Sequence, residues 1–177
     1  ISTFVDLSAI APGVNVAKNE GFKTVITIRG VGYETNQNAI ATPSVSYHLD
    51  GIYVASPYSL QTDFLDLERV EVLRGPQGTL FGQNSTGGAI NVVTKAPTTD
   101  ETYGSADLTL GDHGLFKVRA GFNKPLSDNL AMRASFISNI RDGFTENLSN
   151  GQDLDDADSF SARVRLKYEP SDTFRAN

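Results

Sequence analysis

Apolar and polar positions alternate strictly along the second half of the chain and only briefly along the first. In Ser159 to Glu169, Phe160, Ala162, Val164, Leu166 and Tyr168 fall on one face, and Ser161, Arg163, Arg165, Lys167 and Glu169 on the other. A period of two is the signature of a strand with one apolar side. The split recurs in Phe116, Val118, Ala120 and Phe122 against Lys117, Arg119 and Asn123. It recurs again in Leu130, Met132, Ala134 and Phe136 against Arg133, Ser135, Asn139 and Arg141. With the shorter Tyr103 to Leu110, this predicts four successive antiparallel strands over residues 102–169. Strands of about 10 residues match the 9 to 11 that cross a bilayer at a tilt and exceed the 5 to 6 usual in globular sheets. The connections also differ in kind. Lys124 to Asn129 reads as a tight turn, Asp142 to Asp158 as a long acidic loop and Gly111 to Gly114 as a short one. Short turns at one end and longer loops at the other suit an outer-membrane barrel, although the first outer loop, Gly111 to Gly114, is short for it.

The first half is mixed. Phe4, Leu7 and Ile10 have helical spacing, predicting a helix over 2–10 that Pro12-Gly13 stops. Short β-rich runs follow at 14–16, 24–29, 45–49, 69–74 and 89–94, each bounded by glycine, proline or asparagine. Two polar loops, Val31 to Pro43 and Ala55 to Asp63, are longer than simple connection requires, and such loops tend to carry function. The chain therefore reads as a small α+β unit followed by a meander.

Composition narrows the chemistry. A net charge of -6 over 177 residues lacks the basic footprint of a nucleic-acid binder. The absence of cysteine removes disulfides, thiolate metal sites and cysteine nucleophiles. No apolar run approaches the roughly 18 to 20 residues of a membrane-spanning helix. The N-terminus has neither the basic nor the apolar region of a signal peptide. At the other end, Tyr168 to Phe174 reads as strand, turn and new strand, and the chain stops before that strand can pair, so a truncated chain is expected.

The glycine-rich Gly75 to Gly88 segment has no Gly-Lys-Ser/Thr, so it is not a phosphate loop. Asp153, Asp155, Asp156 and Asp158 lack the loop glycine and terminal glutamate of a calcium-binding hand, and read as a solvated acidic loop. His48 and His113 have no second histidine at ligand spacing. No nucleophile elbow accompanies the serines. Neither catalytic residues nor a cofactor or metal site is expected.

The stretch from Asp66 through Arg74-Gly-Pro-Gln-Gly-Thr-Leu-Phe-Gly to Lys95 resembles the plug signature of TonB-dependent outer-membrane receptors. Leu7 to Val16, Ile28-Arg29-Gly30 and Pro43 to Val54, with a turn at Asp50-Gly51, follow the same plug in the same order. The resemblance implies an α+β plug domain over 1–97, followed over 102–177 by the first antiparallel β-strands of a transmembrane β-barrel left incomplete. Gly75, Gly78, Gly82, Gly87 and Gly88 suit tight turns and close approach to a wall. Arg29 and Arg74 each end a β run before a glycine, and in the resembled family these arginines face glutamates on the barrel wall. They are expected to lie near each other with few carboxylate partners of their own. Arg69 and Glu71, two apart on one strand, share a face and read as structural.

What the resemblance implies for function is energised import across the bacterial outer membrane, with the wall strands facing outer-membrane lipid. The energy would come from the TonB complex of the inner membrane, which pairs by β-strand addition with a segment expected before Ile1. Siderophore-bound iron, cobalamin, haem, nickel chelates and oligosaccharides are all open as solutes. Tyr33, Asn36, Gln37, Tyr53 and Tyr58, on the loops that would face outward, are the candidate solute contacts, because they combine stacking area with hydrogen bonding. A signalling receptor with the same plug and barrel, and a soluble α+β binding domain with a β-sheet tail, are the alternatives.

Overall fold

Ser2 to Ile10 buries Phe4 and Leu7 but leaves Ile10 exposed, because the expected helix shortens to a single turn, α1 (Leu7–Ile10). The Asp6 carboxylate accepts hydrogen bonds from the N–H groups of Ser2 and Thr3, offering the backbone a turn in place of a helix start. Bonds from Leu7 to Phe4 and Ser8 to Val5 are spaced by three residues, so the turn is tight. These coordinates are a computed structural model that describes residues 2–19, 23–32, 43–56, 63–149, 151, 153–171 and 174–176.

Contacts divide the chain into two units, 1–94 and 95–177. In the first, β1 (Val14–Asn19), β2 (Lys23–Ile28) and β3 (Val31–Gly32) form an antiparallel sheet. A second sheet has the order β5-β4-β7-β6, from β4 (Val45–Leu49), β5 (Ile52–Tyr53), β6 (Leu67–Arg74) and β7 (Gly88–Thr94). Within it β4 and β7 run parallel and β6 and β7 antiparallel. With a neighbour on each side, β7 is buried along nearly its whole length, which accounts for its continuous apolar run. The core joins Phe4, Leu7, Val14, Ile26, Ile28, Val45, Tyr47, Phe64, Ile90 and Val92. The Phe4 ring meets Tyr47 at 4.8 Å and Phe64 at 4.7 Å, both edge-on.

The second unit is a sheet in meander order. It contains β8 (Tyr103–Gly111), β9 (Leu115–Ser127), β10 (Leu130–Arg141), β13 (Ala157–Ser171) and β14 (Phe174–Ala176). The β8–β9 hairpin turns at His113 and Gly114, both at positive φ, as a type I′ turn requires. Three expectations change here. First, β9 continues through Lys124 and Pro125, leaving only Asp128-Asn129 between the strands. Proline is tolerated because β8 pairs with β9 only as far as Asn123, so no ladder bond is lost on that side. Second, the acidic loop contains a small hairpin of β11 (Thr145–Glu146) and β12 (Asp153–Leu154). Third, the terminal strand does pair, with Ser171 opposite Phe174 and Tyr168 opposite Ala176.

The apolar face of the meander is open. Phe160 is 69%, Val164 66% and Leu166 54% exposed, and Phe116 and Phe122 are each 45% exposed. A continuous apolar face of this kind belongs against another apolar phase.

Candidate functional site

The motifs singled out in the first unit are turns. Ile28 and Val31 pair across Arg29-Gly30, whose φ values of 54° and 77° make a type I′ hairpin. Leu49 and Ile52 pair across Asp50-Gly51 in the same way, at 51° and 81°. Glycine suits the second position of each. Aspartate tolerates the first, whereas arginine there is unusual.

The Asp50 turn is tied to β7. Its carboxylate accepts from the Thr94 N–H and hydroxyl, each at 2.8 Å, and its own N–H donates to the Val92 carbonyl at 2.8 Å. The Gly51 N–H donates to Asn91 Oδ1 at 3.1 Å, and Asn91 Nδ2 donates to Glu71 Oε2 at 2.9 Å. Glu71 Oε1 accepts from Arg69 Nε at 2.8 Å, and Arg69 Nη1 reaches Glu68 at 2.6 Å. One hydrogen-bonded line therefore runs from the hairpin across β7 to the exposed edge strand. The Asn91 amide, then Arg69, hold the Glu71 carboxyl below its ordinary pKa.

Between β6 and β7 the glycine-rich excursion closes on itself. Gly75 N–H donates to Gly87 O at 3.2 Å and Gln77 N–H to Ser85 O at 2.9 Å, around the single turn α2 (Gly78–Phe81). Gly87 and Gly88 are where both arginine motifs converge. A Cβ on Gly88 would collide with the Leu73 carbonyl, beside Arg74, and approach Ile28 Cδ1, beside Arg29, to 2.8 Å. A Cβ on Gly87 would come within 2.8 Å of Val31 Cγ1. Arg29 and Arg74 are themselves exposed and form no ion pair with a described carboxylate. Open space surrounds Gly78 and Gly82, so neither is required by close packing.

Tyr53 lies on β5, half-buried, and its hydroxyl accepts from Asn84 Nδ2 at 2.7 Å. Beneath it His48 is buried, with its ring 4.7 Å from Phe81 and 5.6 Å from Tyr53, and Nε2 is 3.2 Å from Ser46 Oγ. Burial holds His48 below the ordinary histidine pKa, against a smaller upward pull from the Gly51 backbone. Tyr33, Asn36, Gln37 and Tyr58 lie outside the described residues.

Two asparagines escaped sequence reasoning. Asn91 interrupts an apolar run in a central strand, and a buried amide there signals a hydrogen-bonding task. Asn123, fully buried, accepts from the Thr98 N–H at 3.0 Å and donates to the Thr98 and Glu101 carbonyls at 2.9 and 2.7 Å, fixing the chain that enters β8.

With this architecture in hand, similarity to known proteins is informative. The TonB-dependent Receptor Plug Domain family matches residues 1–89. The pesticin receptor of Yersinia pestis is 31% identical over 172 residues, covering 94% of this chain and 24% of that protein. The ferric enterobactin receptor PirA of Pseudomonas aeruginosa is 28% identical, covering 92% of this chain and 24% of that protein. Among solved structures, the ferric yersiniabactin uptake receptor FyuA from Yersinia pestis superposes with a TM-score of 0.77 at 28% identity, covering 94% of this chain and 26% of that one. The ferripyoverdine receptor of the Pseudomonas aeruginosa outer membrane shares the fold, at a TM-score of 0.73 and 21% identity over 97% of this chain and 21% of that one. The chain spans about a quarter of the length of the relatives it matches. These relatives are receptors rather than enzymes, and no enzymatic activity is assigned to this chain. The chain belongs to the TonB-dependent receptors of the bacterial outer membrane, with a plug fold followed by antiparallel strands of an unclosed barrel.

Proposed function

We propose that residues 1–97 are the plug and 102–177 the first wall strands of a receptor that imports a scarce solute across the outer membrane, driven by the TonB complex. The observation that carries this is the meander's two-sidedness: Phe160, Val164 and Leu166 face outward and exposed, while arginine and lysine occupy the opposite face. Lipid on one side and a plugged, polar lumen on the other account for both. The iron chelates for which several relatives are named support siderophore-bound iron as the solute over cobalamin, haem, nickel chelates and oligosaccharides.

In this reading Arg29 and Arg74 seat the plug against carboxylates of the wall. The Asp50, Arg69, Glu71 and Asn91 line stiffens the plug from within. Tyr53, with Tyr33, Asn36, Gln37 and Tyr58, supplies contacts to the solute. The test is uptake of iron-55 siderophores by iron-starved cells expressing the full-length receptor, with and without TonB. Uptake that requires both receptor and TonB is expected. Binding without TonB-dependent uptake of any chelate would overturn the import reading.

A further inference from the structure

Four residues stand in one line across the meander. Tyr103 on β8 is directly opposite Asn123 on β9, Asn123 is opposite Arg133 on β10, and Arg133 is opposite Arg165 on β13. Direct opposition puts all four side chains on one face, the polar one. A polar face of a barrel wall normally keeps such groups hydrated. Here the centre of the row is dry, with Asn123 fully buried and Arg133 only 1% exposed.

The chain that enters β8 meets this row. Asn123 Oδ1 accepts from the Thr98 N–H, and Asn123 Nδ2 donates to the Thr98 and Glu101 carbonyls, so both amide hydrogens are used on one short segment. Arg165 Nη1 reaches the Lys95 carbonyl at 3.5 Å, and Arg133 lies over the Tyr103 ring at 5.2 Å. The segment is shaped for this contact: Pro97 is buried, and the Thr98 hydroxyl donates to Asp100 Oδ2 at 2.6 Å while accepting from the Asp100 N–H at 3.2 Å. The backbone groups that Asn123 binds precede Tyr103, where ladder pairing of β8 begins, so no neighbouring strand satisfies them. Contacts accordingly group residues 95–101 with the meander and divide the chain between Thr94 and Lys95.

We propose that this row is an anchor that holds residues 95–101 on the wall while the plug is displaced, with Asn123 as its positioning residue. The proposal rests on the import reading and adds the point at which the displacement ends. A pull applied at the N-terminus travels along the chain until it meets contacts that do not yield. The amide of Asn123 is buried and its bonds go to two backbone positions, so they must be lost together, with no water at hand to replace them. A fixed end keeps the displaced plug beside its own wall and returns it to the same register.

The experiment pulls the full-length receptor, held in a lipid bilayer, from its N-terminus with a force probe. In the wild type the extracted length should end at Thr94. In Asn123→Leu, which removes all three bonds, it should grow by residues 95–101, about 25 Å of extended chain. The isosteric Asn123→Asp keeps an acceptor for Thr98 but sets a carboxylate against two carbonyls, and should lengthen the step equally. The force of the first extraction step should match the wild type in both, which a general weakening of the fold would not allow. Equal lengths in all three proteins overturn the anchor and leave the plug reading standing. Absence of any extraction before the wall unfolds overturns the plug reading and the anchor with it. Should either variant fail to fold, hydrogen exchange in the wild type decides. The Thr98 N–H should exchange as slowly as the paired amides of β9, and exchange about tenfold faster or more overturns the anchor.

Discussion

The side-chain amide of Asn91 bridges the Gly51 N–H and the Glu71 carboxylate, at 3.1 and 2.9 Å, and so couples the β4–β5 hairpin to the edge strand β6. Replacing it by alanine removes both hydrogen bonds, and because Gly51 is exposed and Glu71 only half-buried, water can take them over, so the net loss is about 0.5–1.5 kcal/mol. Urea unfolding of Asn91→Ala should show that loss in midpoint with an unchanged slope. Asn91→Asp should be worse at neutral pH, because it sets a second carboxylate against Glu71. It should partly recover as pH falls into the carboxylate range. Equal stability of the aspartate and alanine variants at pH 4.5 and pH 7.5 would rule out the bridge.

His48 gives the first unit a second pH dependence, of stated sign. Burial lowers its pKa in the folded chain, so the unfolded chain binds the extra proton first. Stability is complete above about pH 6.5, the unfolded value, and falls as pH drops from there through the depressed folded value. His48→Phe keeps an aromatic ring beside Phe81 and should abolish that slope between pH 7.5 and 5.5, leaving only the carboxylate titration below it. A thermal melt series across that range checks it.

Gly88 is the position least able to accept a side chain. Its φ of 146° is closed to L residues, and a Cβ would collide with the Leu73 carbonyl while crowding Ile28. Gly88→Ala should destabilise the first unit by about 2 kcal/mol or more, because the obstacle is ladder backbone that cannot move aside. Gly78→Ala, in open space at the start of α2, should be within about 0.5 kcal/mol of neutral. Comparable losses at both positions would mean that the packing around Gly88 is not the constraint.

Alternation made the meander legible, since Phe160 and Arg163 report their opposite surroundings residue by residue. The sheet strands of the first unit were also recoverable, because β4 and β7 are short β-rich runs bounded by Pro43 and Gly51 and by Gly87 and Pro97. Local competition was harder to read: nothing in the spacing of Phe4, Leu7 and Ile10 reveals that the Asp6 carboxylate will take the N–H groups of Ser2 and Thr3. Lys124 to Asn129 read as a turn because the tolerance of Pro125 in a strand depends on where the neighbouring strand ends. The Arg29 and Asp50 motifs were recognisable as motifs, but their shared type I′ geometry appears only once the flanking strands pair. Asn91 was passed over as one polar letter in a β run, although its rarity there was the available signal.

Arg29 and Arg74 offer the sharpest separation of plug seating from solute binding. Both motifs meet around Gly88, both side chains are exposed, and neither pairs with a described carboxylate, so their charges are available to an external partner. Arg29 also holds φ at 54°, a conformation that costs a non-glycine residue about 1–2 kcal/mol. Strain of this kind in a non-glycine residue is the sort that clusters at functional positions. Arg29→Gly should therefore leave the first unit as stable or more stable to urea. On the proposed seating role, Arg29→Gly and Arg74→Ala should each weaken the contact between plug and wall in the full-length receptor. On the proposed import reading, energised uptake should fall while equilibrium binding of the solute, assigned there to Tyr53 and the loop residues grouped with it, changes little, and entry of small antibiotics should rise. Binding and uptake measured on the same cells, at receptor abundance matched by immunoblot, separate the possibilities. Unchanged uptake would remove both arginines from plug seating, and lost binding with a tightly seated plug would move them into the solute site.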